Sequence, residues 1–233
     1  MKVKLKKKRS IGIHEKPYII AEIGVNHEGS INLAKKMIYL AKKGGADAAK
    51  FQSYKAETLA SKNSPAYWDT KKEITKNQFE LFKKYDSFSK KDYKELAKYS
   101  KKIGIDFIST PFDDEAVDYL NSLVPFFKIS SSDITNTPLL RKVSKKKKPI
   151  ILSTGASSIS EIKNALKIIN KNGVKDVVLM HCILNYPTIN ENANLRMIKG
   201  LRKAFPNNLI GYSDHTVPDS NLPSLLTAFI LGA

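Results

Sequence analysis

Short apolar runs that end in polar residues recur along the chain. The first spans residues 18–21, and a carboxylate, Glu22, follows where the run should still be apolar. The chain then turns through Gly24 and Asn26-His27-Glu28-Gly29. Ser30 is placed to cap a helix reaching Lys43, which Gly44-Gly45 closes. Further strands are expected over residues 48–54, 106–112, 126–132, 149–155, 176–182 and 209–214. Helices are expected over 91–102, 113–121, 138–143, from Ser157 or Ser158 to 171, over 195–204, and in a last segment ending near Leu231. Within residues 48–54, Lys50 and Gln52 stand two apart and so share one face of the strand.

This alternation gives seven β/α units at a spacing of roughly 25–40 residues. That is the pattern of a TIM (β/α)8-type parallel barrel with seven of its units present. No G-x-G-x-x-G turn follows a strand, which argues against a dinucleotide fold. Residues 1–16 read as a basic leader and the rest of 1–233 as one barrel domain. The chain is expected to stop where an eighth strand would begin. Residues 55–90, polar but carrying Tyr67, Trp68, Phe79, Phe82 and Tyr85, are too long for an ordinary βα loop and suggest a cover over a substrate.

Charge changes the picture only a little. Forty Lys and Arg against 22 Asp and Glu give a net charge of +18. Only four of the forty are Arg (Arg9, Arg141, Arg196 and Arg202), whereas readers of base edges favour that side chain. The lysines are expected on solvated helix faces, with no specific nucleic acid as partner, although a positive field would draw in an anionic small molecule. No apolar run approaches a membrane span. With one cysteine, Cys182, no internal disulfide can form; a cytoplasmic protein is expected.

Collected at the strand ends are Glu22, Lys50, Gln52, Thr110, Lys128, Ser131, Ser153, Asn185, Tyr186, Ser213, Asp214 and His215. Two lysines near buried strand ends need an anion to balance them, and hydroxyls on neighbouring strands add donors. The set suits a phosphate plus a carboxylate. Glu22 can orient a hydroxyl, act as acid or base, or simply pair with Lys50. His215, in Ser-Asp-His-Thr, can bind a divalent metal. His27 and His181 can join it or hydrogen-bond in the core, and Cys182 reads as packing. His14 has no context.

The segments IIAEIGVNHEG, KFQSYKAETL, FISTPF, FFKISSSDITNTPLL, PIILSTG, HCILNYPT and GYSDHT resemble the sialic acid synthases, a group that includes the N-acetylneuraminate, legionaminic and pseudaminic acid synthases. The resemblance runs from Pro17 to Ala233. It implies a transferase that condenses phosphoenolpyruvate with an N-acylated hexosamine such as N-acetylmannosamine, releasing phosphate. By motif position it implies that Lys50, Thr110, Lys128, Ser131, Ser153 and Ser213 hold phosphoenolpyruvate. It places Glu22, Gln52 and Tyr186 toward the sugar, and makes His215 one of two histidines on Mn2+ or Mg2+. A homodimer is implied for the full-length form.

The chain departs from the family pattern in three ways. The family's second metal histidine belongs to an E-K-H-F-T-like segment on strand eight, which these residues are expected to lack. The family's C-terminal antifreeze-like domain, which lends an arginine to the partner subunit's site, is likewise expected to lie outside residues 1–233. Ile183-Leu184 replaces a pair of small polar residues. Residues 1–233 alone are therefore expected to be inactive. Two rival readings are a phosphoenolpyruvate-dependent synthase of other 3-deoxy-2-keto sugar acids, and a non-catalytic basic binding domain.

Overall fold

A computed structural model describes residues 2–6, 9–13 and 15–233; His14 lies outside them. The chain divides into two compact units, one formed by Tyr18–Pro125 and the other by Met1–Pro17 with Phe126–Ala233.

In the first unit, β3 (Ile20–Gly24), β4 (Ala48–Ser53) and β5 (Asp106–Pro111) form a parallel three-stranded sheet in that order. Helices α1 (Ile31–Lys43), α4 (Lys90–Ile103) and α5 (Asp114–Leu120) follow the three strands. Each starts on a side-chain cap: Ser30 accepts from the Leu33 amide, Asp113 from that of Ala116, and Ser89 with Asp92 makes a reciprocal capping box. Helix α4 stops at Gly104, whose φ of 77° is left-handed. Phe51, Phe107 and the Ala34, Ile38 and Leu96 side chains of the helices are buried. Full burial of an aliphatic or aromatic side chain of this size is worth roughly 1.5–3 kcal/mol. Residues 55–90, too long for an ordinary βα loop, contain two short helices, α2 (Ala56–Leu59) and α3 (Gln78–Tyr85). The buried Asp86 carboxylate ties their ends together by accepting from the Ala56 amide and the Lys55 ammonium.

In the second unit, β6 (Phe127–Ile129), β7 (Ile150–Ser153), β8 (Val177–His181) and β9 (Leu209–Tyr212) form a parallel four-stranded sheet. Helices α6 (Thr137–Ser144), α7 (Ile159–Lys171), α8 (Met197–Ala204) and α9 (Pro223–Ile230) follow them in turn. Ile129, Leu140, Ile150, Leu152, Ile162, Ile169, Leu179 and Ile198 make its apolar interior. The basic leader contains a hairpin, β1 (Lys2–Lys6) paired antiparallel with β2 (Arg9–Gly12), with Val3 and Leu5 buried.

The described residues thus hold seven parallel strands, each followed by a helix, as the apolar pattern predicts. Two boundaries move. The first strand runs to Gly24, so Glu22 lies inside it. The strand expected over 126–132 ends at Ile129 and passes into a 3-10 turn, Ser131–Asp133. No helix among the described residues is long and apolar enough to cross a membrane.

Candidate active site

Side chains alternate across a strand, so register decides which residues share a face. In the three-stranded sheet Glu22 stands opposite Lys50, Lys50 opposite Ile108, and Gln52 opposite Thr110. Glu22, Lys50, Gln52 and Thr110 therefore lie on one face, while Phe51 and Phe107 stack 5.5 Å apart on the other. Lys50, 8% exposed, is held by an ion pair to Glu22 Oε2 and donates to Thr110 Oγ1 at 3.4 Å. The pairing that the sequence permits between Glu22 and Lys50 is made. Glu22 itself is half exposed, so one end of a buried ammonium is balanced by a carboxylate that water also reaches. A shift of register between Glu22 and Gly24, where Gly24 takes a φ of 56°, ends the ladder just beyond this pair.

The same periodicity acts in the four-stranded sheet. Lys128 stands opposite Ile151, Ser153 opposite Met180, and Met180 opposite Gly211, so Lys128, Ser153, Met180, Gly211 and Ser213 share a face. Lys128 is 7% exposed, and its Nζ donates to the Ile129 carbonyl at 3.0 Å. Ser131 and Ser153 are also buried. The amide of Ser213 donates to the His181 carbonyl, which prolongs the β8–β9 ladder by one residue and fixes the start of the Ser-Asp-His-Thr turn.

That turn brings Ser213, Tyr186 and His215 together. The Tyr186 and His215 rings lie 4.1 Å apart, and Ser213 Oγ is 3.5 Å from His215 Nε2. His215 Nδ1 hydrogen-bonds the Ile183 carbonyl. A carbonyl can only accept, so Nδ1 carries the proton and Nε2 of the neutral ring holds the lone pair. This is the state in which an imidazole ligates a metal, with its other nitrogen anchored by backbone. His215 thus fits a divalent metal as one ligand. Among the described residues no group of three or more His, Cys, Asp or Glu side chains gathers.

Asp214, grouped with the strand-end candidates, does a different job. It accepts from the Tyr212 hydroxyl, the Thr216 amide and the Ser224 hydroxyl at 2.8–2.9 Å, fastening the turn to the start of α9. Burial alone would push its carboxyl up, but the Thr216, Ser224 and Tyr212 hydrogen bonds bring it below the usual aspartate value.

His27 and His181 are both buried. His27 stacks on Phe88 at 4.0 Å, its Nδ1 accepts from the Gly29 amide, and burial lowers its pKa to about 4. His181 stacks on Tyr212 and bonds the Ala193 carbonyl; burial lowers its pKa too, with that hydrogen bond opposing. Both are core residues, as is the buried thiol Cys182. One residue escapes the sequence pattern: Asp133, on the turn after β6, is a carboxylate among serines, with no neighbour in sequence to mark it.

Residues 37–233 match the model of the NeuB family. Over 224 residues the chain is 43% identical to N,N'-diacetyllegionaminic acid synthase of Campylobacter jejuni; that match takes in 94% of this chain and 66% of the synthase. The chain therefore spans less than two thirds of that curated relative's length, by a small margin. The crystal structure of the N-acetylneuraminic acid synthetase of Leptospira borgpetersenii, solved with citrate, superposes with a TM-score of 0.88 at 35% identity, covering 100% of this chain and 75% of that one. A truncated 3-deoxy-D-arabino-heptulosonate 7-phosphate synthase of Thermotoga maritima shares the fold alone, with a TM-score of 0.71 at 15% identity over 100% of this chain and 77% of that one. The fold is α/β with parallel sheets, and these neighbours are of the TIM-barrel type.

Proposed function

Because the chain belongs to the NeuB family, we propose that it is the synthase part of a cytoplasmic transferase that condenses phosphoenolpyruvate with an N-acylated hexosamine. The products are a sialic-acid-type nonulosonic acid and inorganic phosphate. Its strand–helix units are assigned to a TIM-type barrel. The observation that carries the reading is the polar face of each parallel sheet, where a buried lysine stands among hydroxyls in otherwise apolar strands. Such a lysine is stable only with an anion beside it.

Each residue has a role in this reading. Lys128, Ser131, Ser153 and Ser213 hold phosphoenolpyruvate by one ammonium and three hydroxyls, in charge-assisted contacts that a neutral ligand would not receive. Lys50 and Thr110 are assigned to the same substrate, and the Glu22 carboxylate keeps Lys50 oriented. Glu22, Gln52 and Tyr186 are assigned to the sugar; Tyr186, packed against the His215 ring, offers a flat surface and a hydroxyl. A divalent metal, Mn2+ or Mg2+, held in part by His215 Nε2, would supply Lewis-acid polarisation of the sugar aldehyde. The methylene carbon of phosphoenolpyruvate bonds to the aldehyde carbon, water adds at C2, and phosphate leaves with C–O cleavage.

The test is phosphate release by the full-length protein with phosphoenolpyruvate and a panel of acceptors. Release that requires an N-acylated hexosamine and a divalent metal supports the reading. Release with an aldose phosphate instead would select the heptulosonate-type chemistry. Absence of release, beside salt-sensitive nucleic-acid binding, would select a basic binding domain.

A further inference from the structure

Asp133 closes the 3-10 turn that follows β6, five residues after Lys128 and two after Ser131. Its two carboxylate oxygens are treated differently. Oδ1 accepts from the Asn136 side-chain amide at 3.0 Å, which together with the Asn136 amide bond to the Asp133 carbonyl shapes the entry into α6. Oδ2 is buried and has no hydrogen-bond partner. A carboxylate needed only to shape the turn would be served by Oδ1 and would leave its second oxygen in water. Burying that oxygen unpartnered costs stability, and such groups in native proteins call for an explanation. Burial raises the pKa of this carboxyl, while the Asn136 hydrogen bond, the nearby Ser132 hydroxyl (which itself donates to Ser130 Oγ at 3.0 Å) and the charge of Lys128 oppose the rise. Desolvation beside a specific charge partner is a mark of carboxyl groups at functional sites.

The reaction assigned above, on which this inference rests, needs such a group. We propose that Asp133 is its acid–base residue, with Oδ2 taking a proton from the water that adds at C2 and returning it to the departing phosphate. The balance is as follows. The water oxygen bonds to C2 as one O–H bond breaks, and its proton goes to Oδ2. The C2–O bond to phosphate then breaks, its electron pair leaves with the phosphate oxygen, and Oδ2 gives that oxygen the proton. The second water proton, lost as the C2 hydroxyl becomes a carbonyl, matches the one gained by the aldehyde oxygen.

Asp133→Asn and Asp133→Glu in the full-length protein test this, with kcat, KM for phosphoenolpyruvate, the pH profile and the melting temperature measured together. Asp133→Asn should lower kcat by about a hundredfold or more. It should leave KM for phosphoenolpyruvate within about threefold, abolish the acid limb of the kcat profile and keep the fold, while Asp133→Glu should recover about tenfold or more of the loss. A purely structural Asp133 would move melting temperature and leave the acid limb in place, which overturns the proposal; so does an Asp133→Asn protein with kcat within about threefold of wild type. Should Asp133→Asn fail to fold, carbon-13 NMR titration of the wild-type carboxyl decides, and a carboxyl titrating at or below the ordinary aspartate value overturns it. A wild-type protein that releases no phosphate sinks the reaction and this step together, whereas an active wild type beside an active Asp133→Asn sinks the step alone.

Discussion

A Cβ placed on Gly155 would stand 2.7 Å from Sγ of Cys182 and 3.2 Å from the Cys182 carbonyl oxygen. The end of β7 and the segment after β8 approach so closely that no side chain fits between them. Gly155→Ala should therefore destabilise the protein by about 1–3 kcal/mol, as overpacking of a filled interior does. Cys182→Ala in the same chain should recover part of that loss, because the nearest atom is then gone while the backbone oxygen stays. Denaturant unfolding of the two single variants and the double variant checks the coupling.

Lys128→Ala should weaken phosphoenolpyruvate far more than sugar. Loss of a charge-assisted contact to a buried anion costs about 1.5–3 kcal/mol, roughly a tenfold to hundredfold effect. Separate KM values for the two substrates are the measurement. Unchanged KM for phosphoenolpyruvate with unchanged turnover would remove Lys128 from the site.

Chelation should abolish phosphate release, and added Mn2+ should restore it. His215→Ala should raise the metal concentration needed for half-maximal rate by about tenfold or more, since loss of one ligand from a small set is felt strongly. Metal titration of both proteins under one assay decides between this and a structural His215, whose loss would leave the metal requirement where it was.

Acid should destabilise the unit formed by Tyr18–Pro125 through His27. Its folded pKa, about 4, lies below the ordinary histidine value of 6.5 because burial penalises the charged ring. The unfolded chain therefore binds the proton first as pH falls. Stability is complete above about 6.5 and declines through the window down to about 4, by about 3 kcal/mol. His27→Gln should flatten that part of the curve in urea unfolding measured across pH.

The seven strands were legible because each is an apolar run too short for a helix and bounded by glycine, proline or charge. Lys50 and Lys128 stood out for a related reason: a lysine amid Ala-Ala and Phe-Gln, or between Phe127 and Ile129, breaks a pattern that burial otherwise enforces. What escaped was whatever depends on packing across sequence. His27, His181 and His215 look alike in the sequence. Only the Phe88 stack, the Ala193 carbonyl and the Ile183 carbonyl separate two core rings from one with a lone pair prepared for a ligand. Asp133 was hidden because burial of a single oxygen leaves no trace in composition or periodicity. The displaced end of the first strand follows from the register shift beside Gly24, which a two-residue period cannot reveal.

The register of β4 sets the chemistry of its face as a block. Lys50 and Gln52 alternate with Phe51 and Ser53, so deletion of one residue between Ala48 and Lys50 would exchange the two sets. An aromatic ring would then meet Glu22 and Thr110, while the ammonium would enter the layer where His27, Phe88 and Phe107 pack. Substitutions can tune this strand one position at a time, but its length cannot drift by a single codon. Insertions and deletions in a lineage carrying this chain should therefore collect in residues 55–90 and spare residues 48–53.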